Sequence, residues 1–182
     1  MTKNLLHTIM IKEVETPEQI DAKELVNTIQ QGYLVGRDPE HKQKKTFGPS
    51  TIAYGHGECP RYWYLAFEGA VFEDNSDAYA VANMTNGTIS HSRIEAAFKN
   101  SGISINSEFK LFHDDPPIFG FGDVIFNWLG KSILGEIKTV RDEVFAFRKQ
   151  SMQPADYHMA QLILYMKLMN MKNGAIIYEN KN

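Results

Sequence analysis

The chain has 182 residues, 43% hydrophobic and 23% charged, with a formal net charge of −3 at pH 7, enough for one domain with a substantial core. A single cysteine, no secretory h-region and no apolar run of bilayer length exclude a disulfide scaffold, a secreted precursor and a membrane span, and fit a reducing cytoplasmic compartment. The slight acidity excludes a broadly basic nucleic-acid binder, so any phosphate-binding surface has to be local, drawn from residues 41–45 (HKQKK), Arg93, Lys110, Arg141, Arg148 and Lys149.

In chain order, residues 8–14 read as a strand and Pro17 to about Gln31 as a helix, with Thr16 and Gln19 as a capping box. Residues 33–49 carry Gly, Pro and mixed charge and read as a loop or flap. Residues 1–49 are thus an N-terminal extension and residues 50–182 the core of a single domain. In CPRYWY, residues 59 to 64, Arg61 precedes Tyr62, Trp63 and Tyr64. A cation beside aromatics is how single strands are held, with bases on rings and Arg on phosphate, which makes Arg61 and Tyr62 candidate DNA contacts. The same spacing makes an amphipathic helix, in which Trp63 or Tyr64 is core. His56 and Cys59 have the spacing of half a zinc site, but there is no second pair to complete it.

Thr88 or Ser90 caps the next helix, placing His91 in its first turn and Ile94, Ala97 and Phe98 on an apolar stripe. Glu95 lies one turn on from His91, where it orients the imidazole or a bound water, or is simply solvated. INSEFKLF reads as a short strand carrying Glu108, and HDDPP as a loop whose Asp114 and Asp115 are turn formers.

Residues 120–140, GFGDVIFNWLGKSILGEIKTV, read as a β-hairpin rich in Ile, Val and Phe, with Gly130 supplying the positive φ of a tight turn. If the turn closes on Leu129 and Gly130, Asp123 stands opposite Glu136 with Cβ atoms roughly 5 Å apart, and Lys138 shares the face of Glu136. Two carboxylates on one face suit a hard divalent cation, and a compact ammonium beside them can hold the attacking water. The flanking apolar residues imply strands buried on both faces, where unpaired carboxylates are costly unless a cation is present. The last helix spans about residues 154–172, from Pro154 to a C-cap at Asn173 and Gly174; His158, Gln161 and Tyr165 share one face, and Met159, Leu162, Ile163, Met166 and Met169 supply the core side. GAIIYEN follows as a strand.

With Asp123 and Glu136-x-Lys138 on adjacent strands, the chain resembles the PD-(D/E)xK nuclease superfamily. NGTISHSRIEAAF, CPRYWY and Gln161-x-x-x-Tyr165 point to its RecB-like branch, in the family's order over roughly residues 50–178. The nearest likeness is to CRISPR-associated and phage-encoded single-strand exonucleases. The resemblance implies an α/β, restriction-endonuclease-like fold with a mixed central sheet between helices, and hydrolysis of DNA, single-stranded by preference, in replication, recombination or repair. It implies Mg²⁺ or Mn²⁺ held by His91, Asp123, Glu136 and the Ile137 carbonyl, with Lys138 managing the water and Gln161 and Tyr165 orienting it or touching DNA. Members with an iron–sulfur cluster use about four thiolates; Cys59 stands alone, so no cluster is expected from this chain. Gly122 replaces the Pro of the superfamily's name. A phage protein would act in the host cytoplasm. Alternatives are a structure-specific or double-strand endonuclease of the same superfamily, and a module that binds DNA without cutting it; no protein partner is indicated.

Overall fold

The structure, a computed structural model, describes residues 21–35 and 43–181. Contacts group residues 21–35 with 72–86 in one compact unit and residues 43–71 with 87–181 in a second, which holds all the strands found among the described residues. In the first unit α1 runs Ala22–Gly32, and the Asp21 carboxylate caps it by accepting from the amides of Lys23 and Glu24 at 2.8 and 3.2 Å. This corrects the helix start predicted at Pro17: Asp21 is extended, so the helix does not pass through it. The predicted strand at 8–14 and the Thr16–Gln19 capping box lie outside the described residues, as do residues 36–42 of the predicted flap.

The second unit is built on a four-stranded mixed sheet. β1 (Ser104–His113), β2 (Ile118–Trp128) and β3 (Lys131–Val140) form an antiparallel meander, and β4 (Gly174–Asn180) joins the edge of β3 in parallel. Two short helices, α2 (Pro49–Ile52) and α3 (Pro60–Phe67), precede α4 (Ala78–Asn100), and α5 (Asp142–Ser151) and α6 (Asp156–Leu168) connect β3 to β4. One sheet face carries Val124, Phe126 and Ile137 against Ile94 and Phe98 of α4. The other carries Phe109, Leu111 and Leu134 against Leu162 and Tyr165 of α6. Val124, Leu134 and Ile137 are wholly buried, each worth roughly 1.5–3 kcal/mol of apolar burial. The α/β architecture with a mixed sheet between helices is therefore as predicted. Among the described residues no helix is long and apolar enough to cross a membrane.

Three helical boundaries differ from the sequence reading. α4 begins ten residues before Thr88, behind Asp77, whose carboxylate accepts from Ala80 N at 2.8 Å, so His91 sits mid-helix rather than in a first turn. The Thr and Ser residues that resemble caps bond back along the helix instead: Thr85 donates to the Val81 carbonyl and Ser92 to that of Thr88. α6 is shorter at both ends because Ala155 is extended and Asn170 turns left-handed at φ 53°; Met159 and Ile163, predicted as core, are exposed. The sequence reading assigns no element to residues 142–151, which form α5. In α3 it is Trp63 that is core, its indole donating to the Gly57 carbonyl at 2.7 Å, whereas Tyr64 is exposed.

The hairpin register is the predicted one. Leu129 and Gly130 both adopt positive φ, 51° and 75°, and Trp128 pairs with Lys131 and Val124 with Gly135. Past that last rung the sheet departs from simple alternation. A Cβ on Gly122 would lie 2.2 Å from Phe109 Cζ, on the α6 side, yet Val124, two residues on, packs toward α4. Opposite this point Glu108 has φ 48°. The pleat thus changes phase on both strands at one level, and Asp123 lies at the break.

The Phe109 ring explains the need for glycine at position 122. Gly122→Ala should destabilise the protein by roughly 1–3 kcal/mol in chemical denaturation. Combining it with Phe109→Leu should recover part of that loss; full additivity of the two losses would show that the ring is not the obstacle.

Candidate active site

Asp123 is placed by its strand break between β2 and β3. Its Oδ2 accepts from Ile137 N at 2.6 Å, and its Oδ1 is 3.5 Å from His91 Nδ1. That contact with Asp123 holds the His91 imidazole above its usual pKa. Glu136, 1% exposed, has Oε1 2.7 Å from Lys138 Nζ, while its Oε2 is buried with no hydrogen-bond partner. Burial, reinforced by the charge of Asp123 and only partly offset by Lys138, pushes its carboxyl up to about 7.

Lys138 is fixed from α6. Its Nζ donates to Gln161 Oε1 at 3.2 Å, Gln161 Nε2 lies 3.4 Å from the Tyr165 hydroxyl, and that hydroxyl donates to the Phe121 carbonyl at 2.9 Å. A polar chain therefore runs from the lysine back to β2. Gln161 is thus brought into contact with Lys138. Tyr165 is 2% exposed, which corrects its assignment as a DNA contact: its hydroxyl, pushed up to about 12 by burial, serves the chain from beneath the site.

Beside Asp123 a cavity of about 340 Å³ is lined by His91, Glu95, Glu108, Phe121, Gly122 and Asp123. Glu95 is 6% exposed, and burial together with the charges of Glu108 and Asp123 raises its pKa. Arg61 and Tyr62 are not among the lining residues: Arg61 is exposed on α3, and the Tyr62 ring packs on His56 and Trp63 with centroids 4.4 and 5.1 Å apart. Arg93, a candidate for phosphate, is engaged by Glu179 through two contacts of 2.9 and 2.6 Å.

Whether the residues suit a divalent cation is answered by their donor chemistry. Among the described residues no three His, Cys, Asp or Glu side chains converge as a ready-made cage. Glu136 nonetheless has unfilled capacity: its Oε1 meets Lys138, but its Oε2 is buried without a donor, and the charge of Asp123 disfavours its ionisation. A cation bound by both carboxylates would remove each penalty, so the donor set fits.

Sequence reasoning missed the pair formed by His158 and Tyr178. The Tyr178 hydroxyl accepts from Ala155 N at 3.0 Å and lies 2.8 Å from His158 Nδ1. Ala155 N uses one lone pair of that hydroxyl, and the tautomer of His158 sets which partner donates in the second contact. Burial, then the charges of Lys138 and Arg148, lower His158 to about 4. Its folded pKa lies below the unfolded one, so the unfolded chain takes the proton first as pH falls. Stability should drop between pH 6.5 and about 4, with His158 contributing roughly 1–2 kcal/mol after allowance for partial exposure. Denaturation of His158→Gln across that range should show a shallower fall; an identical slope would contradict this.

Comparison with family models and with curated proteins returns no match. Among solved structures the chain is similar to the crystal structure of SSO0001, at 23% identity and a TM-score of 0.49, over 86% of this chain and 73% of that one.

Proposed function

We propose that the chain is a metal-dependent nuclease of the PD-(D/E)xK type that hydrolyses DNA phosphodiester bonds, acting as an exonuclease on single strands in the cytoplasm. The observation that carries this reading is the buried Glu136 carboxylate, with one oxygen on Lys138 and the other unpartnered, one rung beyond the β2–β3 pairing and beside Asp123. Such a group is expensive to keep and has no packing role that an apolar residue would not fill better.

Asp123, Glu136, the Ile137 carbonyl and His91 are the groups that would hold Mg²⁺ or Mn²⁺, which when bound neutralises charge on the scissile phosphate and acidifies a water. Lys138 holds the attacking water and stabilises charge developing on the phosphate oxygens. Its ammonium has Glu136 on one side and Gln161 on the other, so its position survives exchange of substrate. Glu136 sets both the carboxylate and the ammonium, and Gln161 fixes the lysine without touching the reacting atoms.

The test is degradation of end-labelled single-stranded DNA with Mg²⁺, Mn²⁺ or EDTA. Cleavage should vanish in EDTA and fall by roughly 10³-fold or more in Glu136→Ala and Lys138→Ala; wild type that binds DNA but never cuts it with either metal would overturn the reading. A closed circle that is cut would replace exonuclease by endonuclease. Gln161→Ala should lower kcat by about 10–100-fold with little change in KM, as a positioning residue does. Because imidazole favours transition metals, Mn²⁺ should support activity at least as well as Mg²⁺, and clearly weaker activity in Mn²⁺ would remove His91 from the ligand set.

A further inference from the structure

The outer face of the β1–β2 ribbon carries aromatic rings where a solvated strand face normally carries polar side chains. Phe112 is 63% exposed, Phe121 52% and Phe119 38%. Phe112 pairs with Phe119 and Lys110 with Phe121, so all four side chains share one face, while Phe109 and Leu111 alternate into the core opposite Gly122 and Gly120. The rings of Phe119 and Phe121 meet edge to face, 5.2 Å apart. Three exposed aromatics on neighbouring rungs are an interaction surface rather than scattered apolar residues.

Two observations say what this surface meets. Phe121 lines the same cavity as Asp123, His91, Glu95 and Glu108, so the row of rings runs directly into the candidate active site. Its backbone is also tied to Lys138, through the Tyr165 hydroxyl on the Phe121 carbonyl and Gln161 on the lysine. Lys110, between the rings on this face, supplies a cation at their level. Rings plus a cation, continuous with a phosphodiesterase site, match unpaired bases and the backbone that joins them.

We propose that Phe112, Phe119 and Phe121, with Lys110, form a base-stacking track that carries a single DNA strand to the Asp123 site; this rests on the nuclease reading above. The Phe119 and Phe121 ring centres, 5.2 Å apart, are spaced about one and a half times the 3.4 Å rise per nucleotide of stacked DNA. Successive bases reach successive rings only in an extended, unstacked strand. A duplex hides its base faces, so the track selects single strands and makes these phenylalanines specificity-determining.

The test measures fluorescence anisotropy of a labelled single-stranded oligonucleotide and of its duplex, in EDTA, with wild type, Phe112→Leu, Phe119→Leu, the double variant and Phe119→Trp. Leucine keeps an apolar side chain but removes the stacking face, and melting temperature reports the fold. Each leucine variant should bind single strands roughly five- to a hundredfold more weakly, the double variant more weakly still, with duplex binding unchanged and Phe119→Trp close to wild type. If wild type binds and cuts single strands while the double variant binds them equally well, the track is overturned, the nuclease reading stands, and the rings are left as a protein-contact surface. If wild type neither binds nor cuts single strands, both fall together.

Discussion

The hydrogen bond from Ile137 N to Asp123 Oδ2, 2.6 Å long, is the interaction on which the site depends. At the point where β2 and β3 stop pairing through their backbones, a carboxylate takes over as acceptor and holds the strands together. Its second oxygen is thereby turned toward α4 and His91. The fold reaches this arrangement through three local devices: a two-residue turn that fixes register, a glycine at 122 that leaves room for the Phe109 ring, and a change of pleat at Glu108 and Asp123. None of them involves chemistry, yet each bears on how Asp123 is carried between Ile137 N and His91, within reach of the charge of Glu136.

Asp123, Glu136, Lys138 and His91 act on one another electrostatically. On the α6 side Lys138 is clamped between Glu136 and Gln161, and His158 stays neutral nearby. On the α4 side His91, Glu95, Glu108 and Asp123 surround a small cavity. Glu95 and Glu136 are raised by burial first and then by neighbouring carboxylates, and Glu136 keeps one buried oxygen without a donor. That cost is borne by a core packed on both faces of the sheet, where Val124, Leu134 and Ile137 are fully enclosed. Strain of this kind is expected where charge is kept for a ligand.

The hairpin was the most legible part of the chain, because its β-forming arms and its turn residues agree, and register follows from the turn alone. The partnership of Gln161 and Tyr165 was legible as a shared helix face, but not its direction: periodicity says which residues lie together, not whether their face meets water. Tyr165 consequently points into the core. The start of α4 was hidden by Asn86, Gly87 and Thr88, which look like a boundary, although the hydroxyls around them bond along the helix instead. Phe121 falls in the predicted hairpin and Phe119 just before it, and periodicity does not say which of the two strand faces meets water. Their exposure emerges only when both strands are placed.

The proposed nuclease site requires that Glu136 and Asp123 be held for a cation. Calorimetric titration of the purified protein with Mn²⁺ tests this without relying on activity. Wild type should bind Mn²⁺ saturably, and Glu136→Gln, which keeps shape but removes the charge, should lose that binding while remaining folded. Equal affinity in the two proteins, or no binding to wild type, would contradict it.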